Sequence, residues 1–236
     1  SKEIKMLENK PISKAPRSKR SAISPLIQTK WSQNTPYNLQ CPELNGQHRS
    51  TGCTATAMAQ VMFYYKWPQA ETAELLGYTG SCSKIECPTL APTTFEWENM
   101  KLEYSNINGV PNYTNEEAEA VAKLMRYCGQ AVNMDYDVKG SAGRVYAEYL
   151  TYKFGYSRNA KNIRRTDYPT SEWEEIIYNE VNNGRPVLYM GYPNEGHEFV
   201  CDGYDGNGLF HINWGWGGNH DGFFALSILD YHYEGE

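Results

Sequence analysis

The sequence predicts an α+β protein of two lobes, with helices first and antiparallel strands after. Three observations carry this. Between about residues 50 and 184, apolar residues recur at helical spacing in segments that stop at Gly or Pro. From Pro186 the pattern changes to short β-branched and aromatic runs, PVLYMGYP, HEFVCDGYD, GLFHINWGW and GFFALSIL, with Gly, Asn and Asp between them. The stretch DGNG between two of these runs marks a hairpin.

The first helix opens at Cys53, directly after Gly52. Apolar residues at 55, 57, 58, 61, 62 and 65 trace its face, and Pro68 follows its end. A second, TNEEAEAVAKLMRYCG, has Thr114 and Glu117 at capping-box spacing and is expected to stop at Gly129. AGRVYAEYLTYKFG reads as a third helix. SEWEEIIYNEVNNG reads as a fourth, with a Ser171/Glu174 box and a terminal Gly184. About fifty residues between the first two helices carry Pro88, Pro92 and Pro111 and read as loop. No internal repeat is visible.

The chain of 236 residues is long enough for one large domain or two small lobes. Residues 1–20 hold seven basic and two acidic residues, a net +5. The other 216 hold 15 basic and 26 acidic, a net −11. An acidic body with a short basic tail argues against nucleic acid as a partner. No apolar run approaches the roughly 20 residues that cross a bilayer, so no membrane partner is expected. The opening SKEIKMLENK has neither an initiator Met nor the apolar core of a signal peptide, which suggests a chain cut from a longer one. The tail KPISKAPRSKR reads as flexible and open to proteases. Six cysteines are too few for a disulfide scaffold, although Cys82 and Cys87 in SCSKIEC could pair locally. No CxxC or HxxxH spacing exists, so no metal and no other cofactor is expected.

A buried cysteine is usually a small hydrophobe, but a cysteine at a helix N-terminus gains from free N–H groups and the helix dipole. Cys53 is therefore the candidate nucleophile, and its own N–H a candidate oxyanion donor. Of the five histidines, His197 in EGHEFVCDG is the candidate base. It enters a strand beside Gly196, which leaves room for a substrate backbone. In HINWGWGG, Asn213 could orient the imidazole through its side-chain oxygen, and Trp214 could shield it from water. Gln47, six residues before Cys53 in GQHRSTGC, could donate a second hydrogen bond to an oxyanion. Glu198 follows the base, and strand alternation points it away from the cleft as a solvated carboxylate.

Taken together, NTPYNLQCP, GQHRSTGCTATAMAQVM with YYKWP, VNMDYDVKGSAG, NGRPVLYMGY, GHEFVCDGYDG and FHINWGWGGNHDGFFAL resemble the streptopain family of secreted bacterial cysteine peptidases, from about residue 25 to 230. The resemblance implies a papain-like fold with an active-site cleft between the lobes. It implies a helical lobe mainly to about 135, a β-rich lobe after about 185, and a peptidase domain over 21–236. Cys53 matches the family's nucleophile, His197 its base and Gln47 its oxyanion glutamine. Asn213 and Trp214 are held as an orienting pair without a choice between them, and Ser141 and Gly196 as substrate-binding candidates.

By the same resemblance, the expected function is a secreted endopeptidase, matured from a zymogen, that works through a thiolate/imidazolium pair and a thioester acyl-enzyme. Residues 1–20 would be the remnant of an inhibitory propeptide, with the mature enzyme starting close to Ser21. Its partners would be protein or peptide substrates and its own propeptide. The mature enzyme would be a monomer, outside the cell, in the periplasm or on the outer surface of a bacterium. The alternatives are a catalytically silent binding protein of the same fold, or another papain-like acyl-transfer enzyme such as an amidase. Family members continue past GFFAL into a glycine-rich loop and a closing apolar strand, whereas this chain ends at SILDYHYEGE.

Overall fold

The computed structural model describes residues 20–137, 140–191 and 196–229. The basic tail over 1–19, the VK of VKGSAG and the segment just before Gly196 lie outside the described residues. In chain order the elements are β1 (Glu43–Leu44), β2 (Gln47–His48), α1 (Cys53–Tyr65), β3 (Tyr78–Thr79), β4 (Glu86–Cys87), β5 (Asn106–Ile107), β6 (Val110–Pro111), α2 (Asn115–Ala131), α3 (Ala147–Phe154), α4 (Thr170–Asn182), β7 (Val187–Gly191), β8 (His197–Tyr204), β9 (Phe210–Asn213) and β10 (Gly222–Phe224). Strands β7 to β10 form one antiparallel sheet in the order β10-β9-β8-β7. The six earlier strands pair only as two-residue ladders.

The α1 helix lies between the lobes and is buried from Thr54 to Phe63. Its Met58 and Met62 enter the core of the helical lobe with Leu124, Met125 and Cys128 of α2. Its Ala57 and Val61 meet Val200 of β8 and Ile27. Small residues on that second side let the strand approach closely, and a helix apolar around most of its girth belongs in an interior. The β lobe packs Trp173, Ile177 and Val181 of α4 against Phe199, Cys201, Phe210 and Ile212 of the sheet. Residues 23–27 strap along β8: Ile23 bridges Tyr204, while the Leu26 and Ile27 N–H groups go to Asp202. The β lobe is thus built from both ends of the chain.

Local details differ from expectation in four places. The Thr114/Glu117 box forms with both hydrogen bonds, but α2 runs through Gly129 to Ala131. The Tyr136 hydroxyl occupies the space where a side chain on Gly129 would stand, so that glycine serves packing rather than termination. The Ser171/Glu174 box does not form, because α4 already begins at Thr170 behind Pro169 with no side-chain cap. The stretch between α1 and α2 is ordered by buried Leu75, Phe95, Trp97, Met100 and Tyr104 rather than by long elements. Cys82 and Cys87 are both free thiols, Cys82 exposed and Cys87 buried.

Candidate active site

Cys53 is the first residue of α1, half-buried at the junction of the lobes. Gly52 before it has φ 83°, and a Cβ there would stand 2.8 Å from the Ser141 carbonyl oxygen and 2.9 Å from Met134. Only glycine fits that turn. No side chain caps this helix, so the N–H groups of its first turn, including that of Cys53, have no intrahelical backbone partner. From the other lobe, the Glu198 N–H donates to the Cys53 Sγ at 3.5 Å. That contact brings the start of β8, and with it His197, to the nucleophile.

The imidazole of His197 rests among aromatic rings, with its centroid 4.9 Å from Trp216, 6.1 Å from Trp214 and 5.9 Å from Phe199. Its Nε2 lies 2.9 Å from the Trp214 carbonyl oxygen. With Nε2–H donating to that carbonyl, the neutral ring has Nδ1 as its free base. The group bonded to the ring is thus the Trp214 backbone carbonyl. Asn213 makes other contacts: its Oδ1 accepts from Gln60 Nε2 at 3.1 Å and from the Gly215 N–H at 3.0 Å, and its Nδ2 donates to the Thr29 carbonyl at 2.8 Å. Of the two residues, the one bonded to the imidazole is Trp214.

Burial acts on both groups of the expected ion pair. Burial pushes the Cys53 thiol up, the Glu198 carboxyl adds to the rise, and the Glu198 N–H opposes it. Burial also lowers the His197 imidazole, against the bond to Trp214. Both groups are withdrawn from water, which opposes the charged form of each.

Glu198 departs furthest from expectation. Alternation does turn it away from the His197 side of β8, but that side faces α1 and the 143–145 loop instead of solvent. The residue is 5% exposed. Its Oε1 accepts from the Val145 N–H at 3.2 Å, and its Oε2 is buried without a hydrogen-bond partner. Burial raises this carboxyl to about 7, against smaller lowering contributions from Thr54, Val145 and Arg144.

The binding candidate Ser141 and the oxyanion candidate Gln47 have other surroundings. The Ser141 hydroxyl is buried, donating to the Ser50 carbonyl at 2.6 Å and accepting from the Asp137 N–H at 3.0 Å. The hydroxyl fastens the segment that leads into Cys53. Gln47 sits exposed on the β1–β2 hairpin, paired with Leu44. The glutamine tied to the nucleophile's approach is Gln33. Its carbonyl accepts the Thr51 N–H at 3.0 Å, and its Oε1 accepts from the Ser50 hydroxyl at 3.2 Å. That leaves the amide's Nε2 donors for another acceptor. Gly196, at φ 59°, opens β8 beside His197, and a Cβ there would meet only the tip of Met190 at 3.5 Å.

A thiol at the start of a helix in one lobe and an imidazole at the start of a strand in the other, on the two sides of the lobe junction, fit the papain-like class. The chain belongs to the Peptidase C10 family, which it matches over residues 31–224. It is 35% identical over 232 residues to streptopain of Streptococcus pyogenes, an alignment covering 90% of this chain and 58% of that protein. It is 36% identical to the thiol protease/hemagglutinin PrtT of Porphyromonas gingivalis, covering 89% of this chain and 25% of that one. The chain thus spans little more than half the length of the streptopain it matches. Among solved structures, active interpain A cysteine protease of Prevotella intermedia superposes with a TM-score of 0.80 at 36% identity, covering 91% of this chain and 90% of that one. A prointerpain A fragment superposes with the same TM-score at 35% identity, covering 97% and 74%.

Proposed function

We propose that this chain is a cysteine endopeptidase with Cys53 as nucleophile and His197 as general base. The observation that carries the reading is the pair of contacts at the lobe junction: β8 donating to the Cys53 Sγ, and the Trp214 carbonyl holding His197 Nε2. His197 Nδ1 takes the thiol proton to give a thiolate/imidazolium pair, against the desolvation that opposes both charges, and Sγ then attacks the peptide carbonyl. The oxyanion is received by the Cys53 N–H and by the amide of Gln33, which replaces Gln47 in that role. The imidazolium then protonates the leaving amine, and water, deprotonated by the imidazole, hydrolyses the thioester. The aromatic rings around His197 keep bulk water off the base.

Secretion and synthesis as a zymogen are part of the proposal. They are supported by the S. pyogenes and P. intermedia relatives, one of the latter a pro-form by name. Maturation is placed near Ser21, and N-terminal sequencing of an activated sample should find a cut between residues 10 and 30. The direct test is hydrolysis of an unfolded protein substrate by the wild type, Cys53→Ala and His197→Ala. Both variants should lose the activity, and iodoacetamide should abolish it in the wild type by labelling Cys53. Undiminished hydrolysis by Cys53→Ala would overturn the reading.

A further inference from the structure

The Trp214–Gly215 peptide that holds His197 is itself held from its other end. Its carbonyl faces His197 Nε2 at 2.9 Å, and its N–H donates to the Asn213 Oδ1 at 3.0 Å. One planar peptide thus accepts from the imidazole and donates to the amide of the preceding residue. Asn213 is 2% exposed, and its remaining contacts leave it little freedom. Gln60 Nε2 donates to the same Oδ1, Thr29 Oγ1 donates to Gln60 Oε1 at 2.7 Å, and Asn213 Nδ2 donates to the Thr29 carbonyl. Gln60 stands two turns after Cys53 on α1. The network therefore ties the nucleophile's helix to the peptide that orients the base, across the lobe junction. Gly215, at φ 72°, allows the tight turn, and a Cβ there would press on Thr56 of α1 at 3.0 Å.

We infer that Asn213 is a positioning residue for His197, acting through the Trp214–Gly215 peptide instead of by direct contact, with Gln60 setting its place relative to Cys53. An acceptor on a peptide N–H draws electron density toward that peptide's carbonyl and makes it a better acceptor in turn. Asn213 thereby fixes the plane in which His197 lies and favours its protonated form. The inference rests on the peptidase reading for its meaning, but it is testable without peptide hydrolysis.

The test follows alkylation of Cys53 by iodoacetamide across pH 4–9 in the wild type, Asn213→Ala, Asn213→Asp and His197→Ala. Cys53, Glu198 and Asp221, whose Oδ1 accepts the Trp214 N–H, stay unchanged in the Asn213 variants. The limb of the profile that disappears in His197→Ala should move to lower pH in Asn213→Ala. It should return to or beyond the wild-type position in Asn213→Asp, whose carboxylate is a stronger acceptor for the Gly215 N–H. Peptide turnover by Asn213→Ala should fall on the order of 10²-fold in kcat with KM little changed, as misplacement of a base does. Tyr64→Phe, which removes a partly buried hydrogen bond from α1 to Gly184, controls for lost stability and should leave the profile alone.

A limb unmoved in Asn213→Ala makes the residue merely structural and overturns the inference, while leaving the peptidase reading standing if peptides are still cut. A limb that moves in a protein cutting no peptide supports the inference and removes the peptidase reading. Should Asn213→Ala not fold, nitrogen NMR of labelled histidine in the wild type and Asn213→Asp decides. A downfield shift of the His197 Nε2 proton in the Asp variant supports the inference, and identical spectra overturn it.

Discussion

Glu198→Gln should stabilise the protein at alkaline pH and lose that advantage in acid. The native carboxyl holds its proton up to about 7, against an ordinary 4.5, because its burial disfavours the anion. The native state thus binds a proton more tightly than the unfolded chain does. This contribution is fully present below pH 4.5, falls as pH rises through the interval to 7, and is gone above it. That interval of 2.5, at 1.36 kcal/mol per unit, amounts to about 3 kcal/mol. A glutamine keeps the acceptor for the Val145 N–H and cannot ionise. Whatever constant cost its NH2 group adds, the difference between the two proteins should grow by about 3 kcal/mol between pH 4 and pH 8. Urea unfolding of both proteins in a Cys53→Ser background, which prevents self-cleavage, measures it. A difference independent of pH over that range would refute the argument that the carboxyl is buried and singly bonded.

Two further outcomes follow from the geometry around the nucleophile. Gln33→Ala should lower kcat by roughly 10²–10³-fold, the cost of removing one oxyanion donor, while Gln47→Ala on the exposed hairpin should stay within a few-fold of the wild type. The reverse order in steady-state assays would restore Gln47 to the site. Gly52→Ala should destabilise the fold by about 1–3 kcal/mol, since alanine must adopt φ 83° and clear the Ser141 carbonyl. Thermal unfolding together with Cys53 labelling would show both effects, and an unshifted melting temperature would contradict them.

The parts of this molecule legible in the sequence are those that rest on local rules. The helix from Cys53 declared itself by apolar spacing and by the glycine before it, and the Thr114 box by side chains three residues apart. The meander of β7 to β10 showed in short aromatic runs split by DGNG. Illegible were the contacts made across the chain. Gln33 lies twenty residues before Cys53, and only the fold of the strap brings it to Ser50 and Thr51. Ser141 looks like a cleft residue in VKGSAG, yet its hydroxyl is spent on the Ser50 carbonyl. Alternation placed Glu198 on the right face of its strand but could not say that α1 covers that face. A periodicity gives direction, and burial depends on what comes back to meet it.

The same burial explains why three ionisable groups in one small region all favour their neutral forms. Cys53, His197 and Glu198 are each withdrawn from water, and for each the loss of hydration is the leading cause. On the proposed reaction charge develops at Sγ and at the imidazole against that loss of hydration, and the stabilising dipoles must then already be in place. They are: the Glu198 N–H on the sulfur, the uncapped N-terminus of α1 around it, and the Trp214 carbonyl on the imidazole that becomes cationic. A charged Glu198 would work against the thiolate, so a proton on that carboxyl belongs with the reactive form. Glu198→Gln, which removes that charge, should therefore shift the alkylation profile of Cys53 to lower pH than in the wild type.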